Sequence, residues 1–529
     1  MNLLSKTDYI VWKECPHNAW MKKWKPDIYY ALPPSEFDKS LITAGNQVEE
    51  KAREFFGEGI LIEGRDEQSL DRTKELLQNK ADMLFQACFS DGTLFAAVDI
   101  LKQSNNRDLS IYEVKASSAS KMEEDYGEEE ESEADTMVDF KDLKAVAKYK
   151  KKLLKDPHLF DLAFQVYLVR KAGYKISEAY LVRLNKGYVR GEILDLKKLF
   201  IKEEVLWFID EIMPEVEKEI EVMIENLNSP NKPIGHCRCI NNGRSKHCTT
   251  FCEHNSEVSS YSVHDISRIG NSKAKLHELI DSGIYDILDI PDGFVLSPKM
   301  QKQVMVHKRG KAEIDHPSIK EELEKLQFPL YFLDYESFNP AIPRFKGYKP
   351  YQQIPFQYSL HVLYSIDSEL RHEEFFYAGQ EDPTPLFVAD LKKKIGTSGS
   401  VIVWNRTFEE SHINKHIAIR LPEYAEFIAN VNSRIFDLMT IFSKQMHIHP
   451  DFHGSASIKK VLPVLCPELS YEELDIGNGS EAMNTWNMMV TSDMSEEEKK
   501  KTEKAMLIYC GLDTYAMYAI WKHLVDIIK

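Results

Sequence analysis

The sequence predicts an α/β protein of more than one domain, on three observations. Its 529 residues exceed what a single core ordinarily holds, and length alone suggests about three domains. Runs rich in β-formers alternate with stretches of helical periodicity in both halves of the chain. A composition of 43% hydrophobic and 29% charged residues is that of a globular chain, without the apolar deficit that marks disorder.

In chain order, SEFDKSLITAGNQVEEKAREFF predicts a helix, and TLFAAVDILKQ and LSIYEVKAS predict strands bounded by polar turns. The acidic stretch 121–136 predicts a loop, since like charges repel and little apolar surface is there to anchor it. A helix is expected around 157–172, strands at ISEAYLVRLN and YVRGEI, and a long helix over 200–226. These elements make a first unit, residues 1–252. Residues 253–327 read as a helical linker, with Gly and Pro punctuation in the manner of a helix-hairpin-helix. Such an element either packs or holds a nucleic-acid backbone. From 328 to 529 the expected order is three strands (FPLYFLDYESF, PFQYSLHVLYSI, LRHEEFFYAG), a helix (DPTPLFVADLKKKI), the buried strand SVIVWN, and a last helix opened by the Ser495–Glu498 capping box.

The net charge of −17 argues against indiscriminate polyanion binding, but nine of the carboxylates fall between 123 and 135. An acidic metal site is itself compatible with nucleic acid once the ion is bound. No apolar run reaches the roughly 18 residues needed to cross a bilayer, and MNLLSKTDYIVWKECPH lacks the pattern of a secretion signal, so a cytoplasmic protein without membrane partners is expected. Eight cysteines in such a chain, four of them between 237 and 252, favour a metal or cluster site over disulfides.

YFLDYESF puts Asp334 and Glu336 two apart on a strand, and IYCGLDTY puts Tyr509 and Asp513 four apart on a helix. Each pair then shares one face, and carboxylates suit hard cations such as Mg2+ or Mn2+. Between them, VIVWNRTFEESHI closes a strand at Asn405 and offers Glu409, with Glu410 adjacent. In type and order these motifs resemble DnaQ-type exonucleases of the RNase H-like fold, with their D-x-E strand, N-x-x-x-D second motif and Y-x-x-x-D last helix. The wider set YFLDYESF, PYQQIPFQYSLH, NRTFEESHI, FDLMTIF, GSASIKKVLPVL and YCGLDTYAMY resembles a bacterial family of unknown function with such a C-terminal domain. The resemblance implies 3'-5' exonuclease chemistry, with Asp334, Glu336, Glu409 and Asp513 as ligands of two divalent ions and Tyr509 orienting water. Glu409 departs from the usual Asp. Asp437 is read as a polar group beside substrate or at a helix start, Gln357 and His361 as nucleic-acid contacts or edge-strand polars, and His453 as loop structure or substrate contact.

In the first unit, AAVDIL supplies Asp99, and LSIYEVKAS places Glu113 and Lys115 on one strand face. This D...E-x-K arrangement resembles the PD-(D/E)XK nucleases with a restriction-endonuclease-like fold, and more closely their RecB-like members. The resemblance implies Asp99 and Glu113 as metal ligands, Lys115 as the cation at the phosphate, Glu49 or Glu50 as an upstream acidic ligand, and Gln165 in LAFQVYLV as the glutamine of the family's helix. It also implies a cysteine cluster tying the ends of the domain, as in the CRISPR-associated and AddB groups: Cys15, Cys248 and Cys252, plus Cys237 or Cys239, holding [4Fe-4S] or, alternatively, zinc.

The function expected from these resemblances is a metal-dependent nuclease with two sites. DNA is preferred to RNA, and repair or antiviral defence is the setting. The alternatives are a ribonuclease acting through the C-terminal unit and a non-catalytic nucleic-acid-binding module with degenerate sites.

Overall fold

The computed structural model describes residues 3–31, 33–104, 107–118, 142–472 and 474–529; the acidic stretch expected to form a loop lies outside them. Among the described residues the architecture is mixed α/β with three sheets. The first has seven strands: β1 (Leu4–Ser5), β2 (Ile60–Leu61), β3 (Met83–Ser90), β4 (Leu94–Gln103), β5 (Leu109–Ser118), β6 (Ile176–Leu184) and β7 (Phe200–Glu204). They pair in the order β2-β3-β4-β5-β6-β7, with β1 parallel to β4. Strand β4 is buried along nearly its whole length, as a central strand covered on both faces must be.

The helices of this half that position its site are α1 (Lys6–Glu14), α2 (Glu36–Phe56), α3 (Pro157–Lys171) and α4 (Leu206–Asn228). Capping boxes at Ser5 with Asp8 and at Ser35 with Asp38 start α1 and α2. Helix α3 opens on Asp156 with Pro157 in its first position and is buried from Leu159 to Val166, so over that stretch it has no solvent-facing polar stripe. Along β5, Leu109 and Ile111 join the core that includes Leu162 and Phe164 of α3, whereas Tyr112 and Val114 join the opposite core with Val48 of α2. Alternation therefore turns Glu113 and Lys115 toward α3.

Two expected elements differ. The helix expected from residue 200 begins at Leu206; Phe200–Glu204 pairs antiparallel with β6, with Phe200 buried and Lys202 and Glu204 exposed. YVRGEI forms no strand, because the Arg190 backbone bonds to Tyr348 and Gly347 of the other half instead.

The linker contains helices Lys273–Asp281 and Pro298–Arg309. Its apolar residues from Val258 to Val304 share one core with Cys15, Cys237 and Phe251, and that core runs across residue 252, whereas Ile319 and Leu323 belong to a core of the C-terminal half. Strand β8 (Glu313–Ile314) follows.

The second sheet consists of β9 (Leu330–Phe338), β10 (Ile354–Leu363), β11 (Arg371–Phe376), β12 (Ser400–Val403) and β13 (Ile435–Asp437), ordered β11-β10-β9-β12-β13. The first three strands are antiparallel, and β9, β12 and β13 run parallel. Strand β14 (His447–Ile448) returns to pair with β8. Helix α5 (Thr384–Lys394) covers one face of the sheet, α6 (Gly479–Thr491) packs beside β9, and the long α7 (Glu496–Ile527), capped by Ser495 and Glu498 as expected, covers the other face. Phe332 belongs to the α7 core with Met517, Ile520 and Trp521, while Tyr331, Leu333 and Tyr335 belong to the α5 core with Phe387. Asp334 and Glu336 thus share the face that meets α7.

The halves meet where the segment after β9 reaches the first sheet. Ala341 packs with Tyr112 and Val114, and the Tyr351 hydroxyl donates to the Ala116 carbonyl at 2.6 Å. Phe387 is fully buried, with edge-to-face contacts to Tyr335, Tyr358 and Phe375. Phe387→Ala is expected to destabilise the C-terminal half by about 3–5 kcal/mol, read as a lower denaturant midpoint of its unfolding transition.

Candidate active sites and metal centre

The C-terminal site forms where β9, the segment after β12 and α7 converge. Asp334 and Glu336 come from the middle and end of β9, and Asp513 from α7. Glu409 comes from Phe408–Asn414, a π-helical turn of the kind often found at functional sites. That turn separates the two glutamates. Glu410 is held outward by Arg406, whereas Glu409 is buried and its Oε2 has no hydrogen-bond partner among the described residues.

Burial, and next the charge of Asp513, push Asp334 well above the usual carboxylate range. Burial followed by Asp334 does the same to Glu336 and Glu409. Asp513 is pushed up to about 6 by burial, opposed by hydrogen bonds from the Tyr471 and Tyr509 hydroxyls. The Tyr471 hydroxyl donates to Asp513 Oδ1 at 2.6 Å. Lys459, the cation acting on Glu336 and Asp513, gives its own hydrogen bond to the Gly477 carbonyl. Concentrated carboxylates with an unbonded buried oxygen are a donor set suited to a hard divalent cation. Asp334, Glu336 and Cys510 also bring ligand atoms within 4.8 Å of one another, which adds a thiol to the set.

Asp437 lies beside this group, its charge acting on Glu409 and its Oδ2 accepting from the Arg406 amide. Gln357 and His361 are neither edge polars nor exposed contacts. Strand β10 is flanked on both sides, and both residues are buried, Gln357 donating to the Met506 carbonyl and His361 bonding Thr514, so they fasten α7. His453 stacks on Tyr261 in a loop.

In the N-terminal site, Asp99 of β4, Glu113 and Lys115 of β5 and Gln165 of α3 come together. Lys115 Nζ lies 2.7 Å from Glu113 Oε1, and Gln165 Nε2 donates to Glu113 Oε2 at 2.7 Å. Asp99 Oδ2 accepts from the Val114 amide at 2.9 Å. Burial and then the Glu113 charge push Asp99 up to about 7. For Glu113, burial works in the same direction but is outweighed by Lys115 and Lys6, which hold it below its usual value. Of the two upstream candidates, Glu49 is drawn in through Gln86, which donates to Glu49 at 2.8 Å and to Asp99 at 3.2 Å. Glu50 is exposed and faces away, one helical position round α2.

Several residues of these sites escaped the sequence reading. Asp161 lies one turn before Gln165 and bonds Lys115 at 2.6 Å, so i,i+4 spacing could have found it. Gln86 occupies the left-handed region (φ 56°) within β3, a strained backbone that sequence does not announce. Tyr471 and Lys6 carried no local signal.

The cysteine site is Cys15, Cys237, Cys239 and Cys248, whose sulfur atoms lie within 4.8 Å of one another. Both Cys237 and Cys239 belong to it, and Cys252 does not. Cys252 sits on the short helix Phe251–His254 and is exposed, whereas Phe251 takes the inward position of that helix. Hydrogen bonds among the four sulfurs hold the Cys15 thiol far below its usual range and push the Cys239 and Cys248 thiols up. Four thiolates suit zinc and iron-sulfur clusters alike.

Residues 331–457 match a family model described as a domain of unknown function, DUF2779. That span holds Asp334, Glu336, Glu409 and Asp437. The chain is also similar to Uncharacterized protein UU173 of Ureaplasma parvum serovar 3, at 29% identity over 222 residues, covering 37% of this chain and 31% of that protein. The chain thus spans about a third of that relative's length. No solved structure matches. Among the described residues, no helix is long and apolar enough to cross a membrane.

Two outcomes are expected. Serine at Cys15, Cys237, Cys239 or Cys248 should lower the bound zinc or iron measured by elemental analysis, while Cys252→Ser retains it. For Asp513, a native pKa raised to about 6 means that the folded chain binds more protons than the unfolded one between about pH 4 and 6, so stability falls as pH rises through that window. In metal-free protein, Asp513→Asn should therefore stabilise the fold at about pH 7.5 by up to about 3 kcal/mol, read as a higher melting temperature, with little gain near pH 4. Equal effects at both pH values would contradict this origin.

Proposed function

We propose that the chain is a metal-dependent nuclease with two hydrolytic sites, a DnaQ-like exonuclease site in an RNase H-like C-terminal domain and a RecB-like PD-(D/E)XK site in the N-terminal half. The observation that carries the reading is the convergence of Asp334, Glu336, Glu409 and Asp513 from three elements onto one buried patch, where burial and then the charges of Asp334 and Asp513 push Asp334, Glu336 and Glu409 up. Support for the second site comes from the meeting of Asp99, Glu113, Lys115 and Gln165.

Divalent ions bound at such carboxylates would lower the pKa of an attacking water and stabilise the leaving oxygen of a phosphodiester. The chain's own residues do the rest. Tyr471 and Tyr509 set the orientation of Asp513, and Lys459, over the rings of both tyrosines, places a positive charge at the rim where a phosphate would enter. In the other site Lys115 offers its ammonium to the phosphate, and Gln165 fixes Glu113 through one of its oxygens. Glu409 in place of aspartate is accommodated because the π-helical turn sets the longer side chain's carboxylate beside Asp334. DNA is the proposed substrate, by analogy with RecB-like enzymes.

Digestion of 3'-labelled and 5'-labelled single-stranded DNA and RNA, with Mg2+ or Mn2+, tests the reading. Asp334→Ala should remove stepwise loss of the 3' label by at least about 100-fold, and Lys115→Ala should remove a separate activity. Parent-like digestion by the double variant would leave only a binding role.

A further inference from the structure

Lys6, in the first turn of α1, belongs to the N-terminal acidic site. Its Nζ lies 2.9 Å from Glu113 Oε1, 3.7 Å from Asp161 Oδ1 and 3.9 Å from Asp99 Oδ1. With its side chain 19% exposed, it points into the protein. One ammonium thus sits among three carboxylates, two of which the nuclease reading assigns to a divalent ion. Lys115 already pairs with Glu113 and Asp161, so Lys6 is a second cation in the same space.

The placement of Lys6 is built rather than incidental. Strand β1 pairs Leu4 with Leu94 and Ser5 with Phe95, tying the start of α1 to the strand that carries Asp99. Ser5 caps the helix. Along its length, Tyr9 and Lys13 bond Glu219, and Trp12 bonds Asn226, both on α4. At the far end the C-cap residue is Cys15, a member of the four-cysteine site. A helix of nine residues at about 1.5 Å per residue is a rod of roughly 14 Å with the acidic site at one end and the cysteine site at the other.

We propose that Lys6 is a tethered counter-cation of the acidic site, which a divalent ion must displace in order to bind, and that occupancy of the cysteine site fixes how firmly α1 holds Lys6 there. The proposal rests on the nuclease reading only in taking Asp99 and Glu113 as metal ligands. Its physical basis is competition: an ammonium within 4 Å of three carboxylates offsets much of the field that draws a cation. Anchoring Cys15 limits the helix movement through which Lys6 could withdraw.

Mn2+ binding to the full chain, followed by the loss of the free-ion paramagnetic resonance signal, tests this without reference to activity. Asp334→Ala with Asp513→Ala silences the C-terminal site in every protein compared. Against that background Lys6→Met should bind Mn2+ at least about tenfold more tightly, and Lys6→Arg should bind as Lys6 does. Unchanged or weaker binding by Lys6→Met overturns the counter-cation role. Stripping the cysteine site with a chelator, secondary structure being checked by circular dichroism, should tighten Mn2+ binding when Lys6 is present and leave the Lys6→Met affinity where it was. Equal shifts in both overturn the link through α1. Mn2+ binding that Asp99→Asn fails to reduce, in either protein, overturns the metal reading of the site itself, a separate failure.

Discussion

Burial of negative charge on central strands is the constraint on which this structure turns. A carboxylate taken out of water needs a partner or a proton, and a central strand offers neither by itself. The C-terminal sheet keeps Asp334 and Glu336 on β9 at the cost of raising their proton affinity. The aromatic and aliphatic residues that alternate with them supply the compensating burial, Phe332 toward α7 and Tyr335 toward α5. Gln357, His361 and Thr514 then fasten α7 to β10, which fixes Asp513 opposite the strand.

The two halves answer the same constraint differently. In the N-terminal site Lys6 and Lys115 neutralise Glu113 from within, and only Asp99 and Asp161 are left raised. In the C-terminal site tyrosine hydroxyls and one distant lysine do far less against the mutual repulsion. The first site thus meets its carboxylates with cations of the chain itself. In the second, burial favours the protonated carboxyls, so any ion bound there would compete with protons.

Much of this was legible in the sequence because strand and helix periodicity are local. D-x-E, E-x-K and Y-x-x-x-D each fix a shared face whatever the rest of the chain does, and the helices at 36–56, 157–171 and 496–527 follow from caps and spacing. What stayed hidden depends on distant pairing. Lys6 meets Glu113 across 107 residues, and Tyr471 meets Asp513 across 42, with nothing in the intervening chain to mark either. Cys252 misled for the converse reason. It stands four residues after Cys248, a spacing that invites a shared site, but the short helix at 251–254 turns Phe251 inward and Cys252 out. The strand at 200–204 was missed because its five residues run straight into a long apolar helix, whose period dominates any wider window.

The core around the cysteines extends this logic to the layout of the chain. Cys15, Cys237, Cys239 and Cys248 share a hydrophobic cluster with Val263, Leu276, Ile287 and Val304, so the linker is packed onto the end of the first half. Farther along, the Lys299 and Lys302 ammonium groups reach the carbonyls of Ser443 and Gln445, and β8 pairs with β14, so the same linker is fastened to the second half. Independently, the segment after β9 carries Ala341 and Tyr351 onto the first sheet beside Val114 and Ala116. Ala341 lies only five positions after Glu336, a span of at most about 18 Å of extended chain, and Val114 adjoins both Glu113 and Lys115. The segment that follows the acidic strand of one half is thus packed directly on the strand that carries Glu113 and Lys115 in the other.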